Sequence, residues 1–377
     1  MPWQPYTWQP LALIAAIAVP FAAMIASPAV ADATTRISGP AIHENLAVYF
    51  IHGRSASGPV PLTLKEAMAA EKVVVHETGN VNRLSIENTG AEEVFVQAGD
   101  IVKGGQQDRV LTISMLVPAR SGRLDIAAYC VEQGRWSARG KEDVKRFASA
   151  DKTLPSRDAK LAMLAPAKPR AAEPEASTRT MAGVARSDEG IANYGPVARR
   201  QAGSDTGSRQ SEVWSSVSTA QRKLTENLGA PVAASASASS LQLSLENERL
   251  VAARKSFLAS MEKAAGADDI VGYVFAVGGK LNSGDVYGSN ALFRKMWGKQ
   301  IEAAVTEAIA EKDATASILP TIDDVRGFMT RAETGMSTQA KLLGDTLVRE
   351  TRDSEKGLVA ETRRASGGMV HKAYVAR

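Results

Sequence analysis

The stretch VGYVFAVGGKLNSGDVY, residues 271–287, reads as two strands folded back over the two-residue turn Gly278-Gly279. Directly after it, Ser289 or Asn290 stands where a helix needs a side-chain acceptor. Leu292, Met296, Trp297, Ile301, Ala304, Val305 and Ala308 then recur on one helical face up to about Ala310. A hairpin that runs straight into an amphipathic helix points to a mixed fold with an antiparallel sheet.

Toward the C-terminus, Leu347-Val-Arg-Glu-Thr-Arg352 and Leu358-Val-Ala-Glu-Thr-Arg363 repeat, and Met369-Val-His-Lys-Ala-Tyr-Val375 follows. Turns at Gly357 and Gly367-Gly368 make these a three-strand meander, too short for a solenoid. Toward the N-terminus, residues 243–264 and 212–228 have helical spacing. Before residue 165 the period falls to two: 47–51, 73–76, 84–87, 94–97, 110–117 and 124–132 are short aliphatic or β-branched runs between turn residues. Residues 84–97 read as a hairpin around Asn88-Thr89-Gly90. Residues 63–71 read as one helix, with Thr63 and Glu66 as its capping box. The expected fold is α+β: a largely antiparallel β-sheet or sandwich with several packed helices and a long disordered insertion.

That insertion is residues 165–212, rich in Ala, Pro, Ser, Arg and Gly and too poor in large apolar residues to offset its ordering entropy. Its arginines suit a solvated linker rather than a specific nucleic-acid surface. Val232–Ser240 is a further Ala/Ser spacer. Residues 1–31 carry no Asp, Glu, Lys or Arg, and the apolar run from Leu11 to Ala26 is shorter than a ~20-residue membrane span. Ala29-Val30-Ala31 supplies small residues for signal peptidase, so the expectation is a cleaved signal peptide (1–31), an exported periplasmic or secreted chain from Asp32, and no stable membrane span after cleavage. Residues 32–164 and 213–377 are then two parts of one domain.

The net charge of +4 gives no reason to expect a nucleic-acid-coating protein. One cysteine excludes an internal disulfide, and with four scattered histidines it excludes a Cys/His metal cage; no metal or cofactor is expected. The densest polar chemistry is Gly99-Asp-Ile-Val-Lys-Gly-Gly-Gln-Gln-Asp-Arg109. Paired glycines present N–H groups to an anion, Lys103 and Arg109 add charge, and Asp100, Gln106, Gln107 and Asp108 can read a sugar or base edge. The same composition also makes an ordinary polar turn. A second cluster, Glu132, Arg135 and Trp136, could form a wall with Trp on a base and Arg on a phosphate, or an Arg–Trp stack with Glu as counter-ion. The two clusters share one sheet edge if their strands are neighbours. Gly278-Gly279-Lys280 and the 283–290 segment make a third polar group at a helix N-terminus suited to an anion, though capping by Ser289 or Asn290 explains most of its composition without a ligand.

The segments ENLAVYFIHG (44–53), VVVHETGNVNRLSIENTG (73–90), VFVQAGDIVKGGQQDRV (94–110), CVEQGRW (130–136) and GDVYGSNALFRKMW (284–297), with Val370-His371-Lys372, resemble the ARG and Rhodanese-Phosphatase-superfamily-associated protein domain family. The resemblance implies a link to NAD-derived or ADP-ribose-like ligands and no particular activity. The expected function is a binding module for an anionic small molecule, nucleotide or ADP-ribose-like, at Asp100, Lys103, Gln106, Gln107, Asp108, Arg109, Glu132, Arg135 and Trp136. Alternatives are a hydrolase of a nucleotide-sugar or phosphoester using Asp100, Asp108 or Glu132 as acid/base, and a partner-binding scaffold.

Overall fold

The computed structural model describes residues 35–140, 142–164, 196–312, 318–343 and 346–377, and of 196–206 the backbone alone. The signal segment and residues 165–195 of the expected insertion lie outside the described residues. The first part of the chain supplies β1 (Arg36–His43), β2 (Leu46–His52), β3 (Leu62–Thr63), α1 (Leu64–Ala69), β4 (Val73–Asn80), β5 (Arg83–Asn88), β6 (Val94–Val96), β7 (Asp100–Gly104), β8 (Arg109–Leu111), β9 (Met115–Val117), β10 (Gly122–Cys130), β11 (Phe147–Thr153) and α2 (Arg157–Leu164). The second supplies α3 (Pro196–Leu228), α4 (Leu241–Leu245), α5 (Glu248–Glu262), β12 (Ile270–Val277), β13 (Lys280–Tyr287), α6 (Asn290–Ala310), α7 (Ile322–Glu333), β14 (Met336–Leu342), β15 (Leu347–Ser354), β16 (Gly357–Arg364) and β17 (Met369–Ala376).

These strands form three sheets, with the α+β, largely antiparallel character expected. The eight-stranded sheet runs β1-β2-β12-β13-β17-β16-β15-β14, so strands from both sides of residues 165–195 share one ladder where β2 pairs with β12. The central strands β2 and β12 are buried on both faces. Val48, Phe50, Tyr273 and Phe275 join the core that contains α6, while Ala47, Tyr49, Ile51, Val274 and Ala276 join Val325, Phe328 and Met329 of α7. Such two-faced burial explains why these strands read as continuous apolar runs.

The second sheet, β11-β7-β8-β10-β5-β4, closes toward a barrel. Its two edge strands meet at the His76–Arg146 bridge and at the hydrogen bond donated by Glu77 N to Lys145 O. In the third, β6 lies between β3 and β9, parallel to the former. No helix among the described residues is long and apolar enough to cross a membrane.

Local signals located many elements. Thr63 and Glu66 form the reciprocal capping box of α1, Ser289 caps α6, and β12–β13 and β15–β17 are the expected hairpin and meander. Three expectations need correction. Residues 84–97 are not a hairpin: β5 pairs with β4 and β10, whereas β6 belongs to another sheet. The buried Asn88 amide donates to the carbonyls of Glu92 and Pro118 and accepts from Gly90 N, which steers the chain away from its own strand. The 110–117 run is split between β8 and β9, in different sheets. The 243–264 helix breaks at Asn247, whose side chain accepts from Arg249 and Leu250 N–H groups to start α5. In addition, α3 begins at Pro196, inside the 165–212 stretch, and Gln210 of this helix holds both backbone groups of Cys130.

Candidate functional site

Strands β8 and β10 are neighbours, with Arg109 opposite Cys130, so the Gly99–Arg109 and Cys130–Trp136 segments leave the same sheet edge. Gly105 has a positive φ of 54°, and a Cβ there would lie 2.4 Å from the Phe147 ring, so packing alone demands this glycine. Beyond it, Asp108 and Glu132 are fully buried. The Asp108 carboxylate accepts from both Nη atoms of Arg139 (3.0 and 3.2 Å), Ser240 Oγ (2.7 Å) and Gly104 N (3.1 Å). Glu132 binds Arg135 Nη2 at 2.7 Å and Arg139 Nη1 at 3.3 Å, and accepts from Asp108 N. Burial would raise the Glu132 carboxyl, but the hydrogen bonds from Arg135, Ser237 and Asp108 N outweigh it and hold it below the usual range.

Arg109 is wholly buried, donates to Gln107 O at 2.8 Å, lies 3.5 Å from Glu77 and sits beneath the Trp136 ring at 5.8 Å. Its Nε and Nη2 have no hydrogen-bond partner among the described residues. Gln107 accepts from the Cys130 thiol at 3.1 Å, and burial pushes that thiol up to about 11. Gln106 gives its backbone N–H to Glu77. Lys103 pairs at the surface with Glu246, and Asp100 lies elsewhere, bound by Lys299 of α6 at 2.7 Å and by Gln97 N. The nine expected residues thus divide into a self-paired network, an Arg–Trp stack and two separate ion pairs. Three guanidiniums (Arg109, Arg135, Arg139) face four carboxylates (Glu77, Asp108, Glu132, Glu142), which leaves no surplus positive charge for an anion. Arg139 lies just past the Glu132–Trp136 cluster in the sequence, and Glu142 and Ser240 complete this network without having been singled out from it.

A second arrangement is the cleft of about 650 Å³ framed by α2, α3, the end of α6 and the β12–β13 turn. Gly278-Gly279 turns with positive φ at both residues, the geometry of a tight hairpin, and presents the exposed Lys280 to the rim. One residue later the ladder slips: Phe275 pairs with Ser283 but Ala276 with Leu281, so Asn282 is an extra, bulged residue. It reaches the floor of the cleft, where its amide donates to Glu307 Oε1 at 3.2 Å. Arg157 N, at the start of α2, donates to the same oxygen at 3.1 Å. Asn282 Oδ1 is buried without a partner among the described residues. The rim adds Arg157, paired with the exposed Asp158, and Lys223, paired with Glu311.

Behind the floor, Lys160 donates to Ser283 Oγ at 3.2 Å and lies over the Phe275 ring. Burial lowers its ammonium pKa against the opposing charges of Asp285 and Glu307. Burial likewise raises Glu307, an effect only partly offset by Arg157 N and Lys160. A further polar chain runs deeper: Asp285 accepts from Tyr273 (2.6 Å) and Gln97 (3.0 Å) and lies 2.9 Å from His371. Asp285 and His371 fall in the motifs quoted above, but nothing in their spacing placed them together. No group of three or more His, Cys, Asp or Glu that could hold a metal occurs among the described residues.

No curated protein and no solved structure matches this chain. The pattern of the ARG and Rhodanese-Phosphatase-superfamily-associated Protein domain matches residues 34–375. That span runs from β1 into β17 and takes in both polar regions described above, so the chain belongs to this family.

Proposed function

We propose that this chain is a binding module for an anionic small molecule, held in the cleft framed by Arg157, Lys223 and Lys280. The charge balance carries the reading. Three cations stand at the rim against Asp158 and Glu311, while burial drives both Glu307 and Lys160 toward their neutral forms. At about 650 Å³ the cleft has the size of a small-molecule site. The hydroxyls of Ser156, Ser215, Ser216 and Thr219 add neutral hydrogen-bonding capacity around it. The Gly99–Arg109 and Glu132–Trp136 segments act in this reading as scaffold, since their charged groups bind one another. The alternative of hydrolysis through Asp100, Asp108 or Glu132 has weaker support, because Lys299 and Arg139 hold those carboxylates. The small residues 29–31 that end the apolar N-terminal run support an exported location for the binding module.

The test is calorimetric titration of the chain with inorganic phosphate, pyrophosphate, a nucleotide and ADP-ribose, repeated on Lys280→Glu and Arg157→Ser. Loss of one charge-assisted contact is worth about 1.5–3 kcal/mol, so at least one of these anions should bind, and each variant should weaken it roughly tenfold or more. Anions that do not bind, or that bind both variants as well as the original chain, overturn the reading.

A further inference from the structure

Ser38, His52 and Asp269, none of which lines the cleft, meet at one end of the β1-β2-β12 ladder. Cross-strand pairing brings them together. Arg36 of β1 is opposite His52 of β2, so Ser38, two residues further along β1, lies on the same face of the sheet as His52. Asp269 immediately precedes β12, whose Ile270 pairs with His52 from the other side, and Gly53 N donates to Asp269 O at 2.9 Å. The segment that carries Asp269 is held by α6: Arg294 donates to Gly266 O at 2.8 Å and to Asp268 Oδ1 at 3.0 Å, and the Asn290 amide to Ile270 O at 2.7 Å.

His52 is 6% exposed, and both its ring nitrogens are engaged: Nε2 lies 2.7 Å from Ser38 Oγ and Nδ1 lies 2.7 Å from Asp269 Oδ1. Arg36 Nη2 stands 2.6 Å from the same Nδ1 but donates to Asp269 Oδ2 at 2.7 Å. Hydrogen bonds from His52 and Arg36 hold the Asp269 carboxyl down to about 2, so it is ionised at neutral pH. A carboxylate beside Nδ1 demands a hydrogen there. That charge-assisted bond fixes the imidazole tautomer, with its proton on Nδ1 and its lone pair on Nε2 toward the Ser38 hydroxyl. Ser38 is partly exposed, and the Asp269 side chain is 52% exposed, so the group stands at the surface rather than in the core.

The geometry points to a second function, hydrolysis of carboxylic esters, with Ser38 as nucleophile, His52 as general base and Asp269 as the positioning residue that orients His52. Ser38 Oγ bonds to the acyl carbon as its proton passes to His52 Nε2, and the carbonyl electron pair moves onto the carbonyl oxygen. Return of that pair breaks the C–O bond to the alcohol, which leaves with the proton from His52. Water then attacks acyl-Ser38 by the same route, giving its proton to His52, and the carboxylic acid departs as Ser38 recovers its hydrogen. An alcohol leaves more readily than an amine, which favours esters over amides at a triad open to solvent.

The experiment treats the full chain with a fluorophosphonate and with p-nitrophenyl acetate, beside Ser38→Ala, His52→Gln and Asp269→Asn. The native chain should take up a single phosphonyl group, placed on Ser38 by peptide mass spectrometry, and should take up none when urea unfolds it first. Ser38→Ala and His52→Gln should each slow ester hydrolysis by about 100-fold or more, and Asp269→Asn should lower kcat at unchanged KM. A native chain that takes up no phosphonate, or takes it up elsewhere than on Ser38, overturns the assignment, as does ester turnover that survives in Ser38→Ala. An unchanged kcat in Asp269→Asn overturns the triad. Labelling of the unaltered chain decides the matter even where a variant does not fold.

Discussion

Replacing Arg109 with alanine separates a structural role from a ligand-binding one at the loop that dominates the polar sequence. The guanidinium is completely buried, and its counter-ion Glu77 has a side chain only 5% exposed, 3.5 Å away. Arg109→Ala removes the cation and leaves that carboxylate behind. Breaking a buried pair from one side costs about 3–5 kcal/mol, far more than the pair itself contributes. Glu77 still accepts from the N–H groups of Thr78, Gly79 and Gln106, which places the expected loss near the lower end, about 3 kcal/mol. Trp136 loses the cation beneath its ring, worth a further ~0.5–1 kcal/mol at this half-exposed position. Equilibrium unfolding in urea measures the sum as a fall in midpoint at unchanged slope. Phosphate affinity at the cleft, which Arg109 does not line, should not move. A loss below about 1 kcal/mol, together with a tenfold weaker anion affinity, would refute the reasoning and make Arg109 a ligand contact.

Burial alone would raise the Glu350 carboxyl, but hydrogen bonds from Ser337 and Arg363 and the charge of Arg352 bring it down to about 2. A depressed carboxyl contributes stability above its unfolded value, 4.5, that is lost as pH falls toward 2; Glu350→Gln should flatten that part of the stability–pH curve, and an unchanged curve counts against the pairing. With its thiol pushed up to about 11 and no exposed surface, Cys130 should resist a maleimide at pH 8 until the chain is unfolded, so rapid native labelling would show an open sheet edge. Exported protein should begin at Asp32 by N-terminal sequencing, and a membrane-retained chain that keeps Met1 would overturn the cleavage expectation.

The local elements were legible because their causes are local. Thr63 and Glu66 cap each other within one turn, Gly278-Gly279 alone can take the tight hairpin backbone, and the α6 face is written in residues three and four apart. The helix α7 was equally legible but overlooked: Thr321 and Asp324 form a capping box, and Val325, Phe328, Met329 and Ala332 line its buried face. The candidate site was legible only in part. Its glycine turn and Lys280 stood out, but Asn282 gains its role from a bulge that leaves no trace in the alternation of apolar residues.

What the sequence by itself determined is the α+β class, the family, the capped helices, the hairpin and the meander, all set by interactions within about a dozen residues or by matching motifs. Only the tertiary structure decided which strand lies beside which. Period two tells which face of a strand is buried, never its partner, so 84–97 passed for a hairpin until the Asn88 amide was seen to bind across to Pro118. The same holds for charge. Composition places Lys, Arg, Asp and Gln in one loop, but whether they meet a ligand or one another depends on groups far along the chain: Ser240 on Asp108, Lys299 on Asp100, Glu307 beside Asn282 and Arg157. Hydrogen bonds and ion pairs act over a few ångströms of space, and the fold brings those ångströms together from residues more than a hundred positions apart.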